Sequence, residues 1–178
     1  MKNKLSLTPI LFIAFSVMST SCSDDNENKA KYNSAPPTFS NMKVADLETG
    51  STVLKAGNKI VVTLEQSSKG KLLNKTTYNW SLNPDLEGNS HKYKTSVIYD
   101  QETENPTDTI LINTAGTYTI TFTAKYNASA FTTIWQNSGA ANNNTYWPDN
   151  SGKVSYELSG IGGLGFKVKA TKKIVVNE

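Results

Sequence analysis

Between Thr117 and Ala124 the chain alternates strictly, with Tyr118, Ile120, Phe122 and Ala124 on one side and four threonines on the other. Successive side chains of an extended strand point to opposite faces, so this segment buries one face and keeps the other wet. A helix would scatter the same apolar residues around its circumference. Weaker versions of the pattern recur along the chain. Phe39, Met42 and Val44 begin an irregular alternation that stops at the turn-rich stretch Asp46 to Gly50. Thr52 to Leu54 and Lys59 to Leu64 follow, separated by Gly57-Asn58. Thr76 to Leu82 sets Tyr78, Trp80 and Leu82 on one face and ends at Asn83-Pro84; Tyr93 to Tyr99 is β-branched and aromatic; Thr109 to Ile112 is short and lies between Pro106 and Gly116. Period-two patterning, abundant Thr and closely spaced turn residues predict an antiparallel all-β domain.

The first residues have a different character. Lys2 and Lys4 precede the apolar run Leu5 to Met18, about 14 residues long, where a bilayer span needs about 20. A charged start, a short apolar core and small residues at its end read as an export signal. Ser19-Thr20-Ser21-Cys22 resembles the junction of a bacterial lipoprotein signal, with Ser19 in place of the usual aliphatic residue. The resemblance implies removal of residues 1–21 and lipid attachment to Cys22, the chain's single cysteine. Cys22-Ser23-Asp24-Asp25 resembles the acidic surface-export tag of Bacteroidetes lipoproteins, which implies a lipid anchor in the outer membrane and a domain facing the cell exterior. Residues 22–37, polar and closed by Ala35-Pro36-Pro37, read as a flexible tether before a domain over 38–178.

Charge narrows the partner classes. All 18 basic residues are lysines, and from Cys22 onward 16 of them face 15 acids, so the formal charge of +3 belongs largely to the signal. Arginine, the bidentate partner of phosphate and carboxylate, is absent. Lysine is scattered along the sequence rather than striped. The electrostatic footprint of a nucleic-acid binder is therefore missing.

Three segments together resemble an immunoglobulin-like or PKD-type domain: Tyr78-Asn79-Trp80, Ala115-Gly116-Thr117-Tyr118-Thr119-Ile120, and Ala170-Thr171-Lys172-Lys173-Ile174-Val175-Val176. The resemblance spans about Pro37 to Val176. It implies a β-sandwich with Trp80 in the core and Tyr118 at a tyrosine corner, its hydroxyl returning to nearby backbone. Asn83-Pro84-Asp85-Leu86-Glu87-Gly88 departs from the Asp-Gly turn common after the PKD tryptophan.

A second departure is a long insertion before the last strand. Phe131 to Trp135 and Val154 to Leu158 read as arms of a hairpin around the polar loop Asn137 to Gly152, extending beyond the sandwich. Gly160, Gly162, Gly163 and Gly165 mark a bend where the arm rejoins the sheet. The hairpin carries Trp135, Tyr146 and Trp147 beside Asn142, Asn143, Asn144, Asp149 and Asn150. Aromatic faces that stack on sugars, with amides and carboxylates for the hydroxyls, make Trp135, Tyr146, Trp147, Asn143 and Asp149 candidate glycan-binding residues. The competing reading packs Trp135 and Trp147 into a small core under the loop, and it is the heavier of the two because buried aromatics supply large apolar area.

Other chemistry is sparse. His91 is the only histidine and sits in a polar stretch, so no catalytic triad and no ordinary zinc site is expected. Asp100, Glu102, Glu104 and Asp108 form an acidic cluster without an EF-hand pattern, read as a solvated loop. Asp108-Thr109-Ile110 resembles the Asp-Thr-aliphatic O-glycosylation acceptor of Bacteroidetes, which makes Thr109 a candidate modification site. The expectation is a non-enzymatic surface lipoprotein without cofactor or metal, binding polysaccharide as an accessory of an uptake system. The alternative is a structural or adhesive, fimbria-like protein that pairs with a surface protein.

Overall fold

The alternating segments assemble into two antiparallel sheets, neither closed into a barrel. The structure is a computed structural model and describes residues 32–85, 92–96, 105–140, 143–159 and 164–178, with the backbone alone for 92–96. The signal, Cys22, His91, Asp100, Glu102, Glu104, Asn142, Gly160, Gly162 and Gly163 lie outside the described residues.

The strands are β1 (Thr38–Asp46), β2 (Leu54–Lys55), β3 (Lys59–Ser68), β4 (Leu73–Asn83), β5 (Lys92–Ser96), β6 (Thr107–Leu111), β7 (Gly116–Ala128), β8 (Asn144–Tyr146), β9 (Gly152–Leu158) and β10 (Gly165–Asn177). One short helix, α1 (Thr133–Asn137), lies between β7 and β8. The narrow sheet has the order β1-β3-β6 and the wide sheet β5-β4-β7-β10-β9-β8, with β2 parallel to the end of β10. The all-β sandwich expected from the sequence is the one observed.

Facing residues of both sheets form one core. Phe122 of β7, fully buried, sits at its centre with Trp80 at 4.8 Å, Tyr78 at 5.5 Å and Phe39 of the opposite sheet at 6.1 Å between ring centroids. Each large side chain buried in this way contributes about 1.5–3 kcal/mol relative to exposure. Tyr118 is buried at the start of β7, and its hydroxyl donates to the Thr114 carbonyl at 2.8 Å, the return to upstream backbone expected from its position.

The domain begins ahead of the boundary expected at residue 38. Asn33, Ser34, Pro36 and Pro37 are buried. The Ser34 hydroxyl donates to the Leu72 carbonyl at 2.7 Å and accepts from the Ala130 amide at 3.1 Å. Ala35 exchanges backbone bonds with Lys71. Gly70 turns beneath this segment with φ +81°, and a Cβ there would lie 2.7 Å from the Ala35 carbonyl. The two prolines thus belong to the domain, because the chain before Thr38 fills the gap between the β3–β4 turn and the end of β7.

The insertion also differs from expectation. Val154 to Leu158 is a strand, but Phe131 to Trp135 is not its partner arm: residues 133–137 are helical. The partner of β9 is the three-residue β8. The hairpin does not project beyond the sandwich; it widens the second sheet by pairing β9 along β10. Physically, the wide sheet outgrows the narrow one, and its inner face beyond β10 needs cover. Trp135 of α1 supplies it, edge-on to Phe166 at 5.0 Å and to Tyr156 at 6.4 Å. Burial pushes the Tyr156 phenol up to about 12, so it stays neutral in this apolar layer.

Candidate ligand-binding face

The five residues expected to form a glycan platform do not come together as one. Trp147 is 1% exposed, and its indole Nε1 donates to the Thr171 carbonyl of β10 at 2.6 Å. Its face is spent on the core. Trp135 is partly buried against Tyr156 and Phe166. Only Tyr146 is open, at 62% exposure, with the Lys153 ammonium 5.9 Å from its ring centroid. Asn143 is exposed, and its amide donates to the Gly139 carbonyl within its own loop. The platform reading fails because Tyr146 ends β8 on the exposed side, while Trp147, just beyond the strand, turns inward to bond Thr171 of β10.

Asp149 is structural as well. Its carboxylate accepts from the Lys172 ammonium at 2.6 Å, the Ser151 hydroxyl at 2.5 Å and the Ser151 amide at 3.0 Å, closing the turn between β8 and β9. The Lys172 contact leads in holding its pKa well below the ordinary carboxylate value. A folded pKa below the unfolded one gives stability that is present above the unfolded value and lost as the pH falls through the folded one. The carboxylate is half exposed, so the effect is that of a surface pair. Asp149→Asn is expected to cost about 0.5–1 kcal/mol at neutral pH. In urea melts the gap between native and variant protein narrows as the pH drops below 3.8, and a gap constant down to strong acid would contradict the assignment.

The polar positions of the alternating strands do come together, on the outer face of the wide sheet. Register places them in rows across four or five strands. Thr77, Lys125, Lys167 and Glu157 form one row over β4, β7, β10 and β9. Asn79, Thr123, Lys169 and Ser155 form the next, continued by Asn144 of β8. Ser81, Thr121, Thr171, Lys153 and Tyr146 form a third. A shallow groove of about 550 Å³ lies over the first two rows. Four adjacent strands span about 15 Å at the usual spacing.

These groups offer hydroxyls, an amide, ammonium groups and one carboxylate on a rigid sheet floor. The Thr123 hydroxyl donates to the Asn79 side-chain oxygen at 2.5 Å, which fixes the amide's orientation. Among the described residues no ion pair engages Lys125, Lys167 or Lys169, and no cluster of three or more His, Cys, Asp or Glu could hold a metal. A second groove, about 530 Å³, lies at the sandwich edge; of its charged groups, Asp149 and Lys172 are bonded to each other and Lys43 to Glu65.

Sequence reasoning missed this face. The threonines of β7 were readable as a wet side, yet which strands flank β7, and in what register, is not encoded locally. Scattered lysines become neighbours only once β7, β10 and β9 pair. Thr109, the candidate modification site, lies in β6, half-buried beside the core-facing Asp108 and Ile110. No family model, curated protein or solved structure matches this chain.

Proposed function

We propose that the protein is a non-enzymatic binding module of the cell surface, presenting the outer face of its wide sheet to glycans. The observation that carries this reading is the open groove whose floor is a rigid array of hydroxyl, amide and ammonium groups. Such groups match ring hydroxyls in donor and acceptor capacity. The strand order supports an immunoglobulin-like or PKD-like subtype, with β1-β3-β6 opposite β5-β4-β7-β10, β2 parallel to the closing strand, and the Tyr118 corner. In this account Cys22 carries the lipid that anchors the domain at the outer membrane, facing outward, as an accessory of polysaccharide uptake.

A glycan array probed with the full chain in detergent tests the function. Retention on polysaccharides, abolished by Asn79→Ala with Thr123→Ala at unchanged melting temperature, supports the proposal. A concentration-dependent oligomer series without glycan retention favours the structural, fimbria-like alternative instead. Mass spectrometry of protein from its native host reads lipid on Cys22 and glycan on Thr109; a free Cys22 thiol or an unmodified Thr109 peptide removes the respective assignment.

A further inference from the structure

The outer face is more basic than the chain as a whole. From Cys22 onward lysines and acids nearly balance, 16 against 15. The acids concentrate elsewhere: Asp24, Asp25 and Glu27 before the domain, Asp46 and Glu48 at the first turn, Asp85, Glu87, Asp100, Glu102 and Glu104 between Asn83 and β6, and Asp108 in β6 of the narrow sheet. On the rows of the wide sheet, by contrast, Lys125, Lys153, Lys167 and Lys169 are accompanied by Glu157 alone. Lys173 extends the same side of β10.

The arrangement is unfavourable for the free protein. Lys125 and Lys167 are direct cross-strand partners, Glu157 faces Lys167 from β9 and offsets one of these charges, and Lys169 stands two residues further along β10 on the same face. Like charges placed directly opposite destabilise a sheet. All three lysines are exposed, and none has an ion-pair partner among the described residues. A bound anion relieves that repulsion, whereas a neutral ligand leaves it in place.

Building on the glycan-binding reading, we infer that the ligand of this face is an acidic polysaccharide, its carboxylate or sulfate groups seated at Lys125, Lys167 and Lys169. Thr77, Asn79, Thr123 and Ser155 line the same groove and take the sugar hydroxyls. The groove runs across the strands, so an extended polymer lies over β4, β7, β10 and β9 and meets the ammonium groups midway. Nucleic acid is the poorer match. The chain has no arginine for bidentate phosphate contacts, and Tyr146, the aromatic that register puts on this face among side chains described, sits at the far edge rather than among the lysines. A membrane surface is poorer too, since the two groove rows present no apolar side chain to insert.

The test measures affinity of the full chain in detergent for polygalacturonate, dextran sulfate and uncharged dextran. Polygalacturonate and dextran sulfate separate carboxylate from sulfate as the recognised group. The expected result is binding to at least one charged polymer, weakened about tenfold or more in the Lys125→Gln, Lys167→Gln, Lys169→Gln triple variant. Binding also weakens as salt screens the exposed charges. The melting temperature of the triple variant stays equal or rises, because repulsion is removed, and a Lys55→Gln, Lys59→Gln control binds as the native chain does. Equal binding of dextran and charged polymers, or an unaffected triple variant, overturns the inference while leaving the glycan-binding reading standing. Binding to phosphatidylglycerol vesicles with no binding to either charged polymer overturns it in favour of a membrane surface. Failure to bind any glycan overturns both.

Discussion

Replacing Trp147 with Ala is expected to destabilise the domain by about 3–5 kcal/mol, the range for deleting a large buried aromatic. Trp147 heads the largest fully buried side chains of the structure. Its loss removes apolar contact and leaves a cavity between the β8–β9 turn and β10. It also orphans the Thr171 carbonyl that now accepts from Nε1 at 2.6 Å. The backbone adds to the dependence: the Trp147 amide donates to the Gly152 carbonyl at 3.0 Å, and the Asn150 amide donates to the Trp147 carbonyl at 2.9 Å. The whole turn is therefore organised on this residue. Trp147→Phe keeps most of the area and loses the indole bond, so it should cost less. Tyr146→Ala, at an exposed site, should stay within about 0.5 kcal/mol. Urea denaturation measures all three. A Trp147→Ala variant as stable as the native protein would mean that the indole is outside the core, restoring it as a ligand residue.

Gly152→Ala is the second large effect, expected to cost about 3 kcal/mol, at the upper end for overpacking. A Cβ at Gly152 would lie 1.8 Å from the Thr171 carbonyl oxygen, 2.6 Å from its carbon and 2.9 Å from the Lys172 Cα. These are backbone atoms of the neighbouring strand, so no rotamer change relieves the contact. The β9–β10 ladder must open where Lys172 pairs with Gly152, and β8 follows because it is held through β9. Hydrogen exchange should quicken over β8 and β9 while the β3 and β7 amides keep their protection. Unchanged exchange together with unchanged stability would contradict the close approach of these strands.

The sandwich was legible from residues such as Tyr118, Ile120 and Phe122, because burying one face leaves a period-two record in the sequence. Trp80 and Tyr118 are both buried, and the Tyr118 hydroxyl returns to the Thr114 carbonyl, as the resemblance implied for these two residues. The insertion was read less well. Phe131 to Trp135 is β-like in composition, but Trp135 is drawn into a helical turn by the inner face it must cover at Phe166 and Tyr156. β8 has only three residues, all exposed, and leaves no apolar record of its pairing. The aromatic platform failed because Trp147, just past the end of β8, turns into the core while Tyr146 stays exposed. The lysine face was invisible for the opposite reason. Lys125 and Lys167 are 42 positions apart in sequence and become partners only through the β7–β10 register.

Binding at the outer face of the wide sheet is the central claim, and mapping it by amide chemical-shift changes tests it most directly. The isotope-labelled full chain in detergent is titrated with oligomers of galacturonic acid. Shifts concentrated at Thr77, Asn79, Thr123, Lys125, Lys167 and Lys169, with the core around Trp147 unmoved, are the predicted result. Shifts confined to the β8–β9 turn and α1, with β7 and β10 silent, would contradict it.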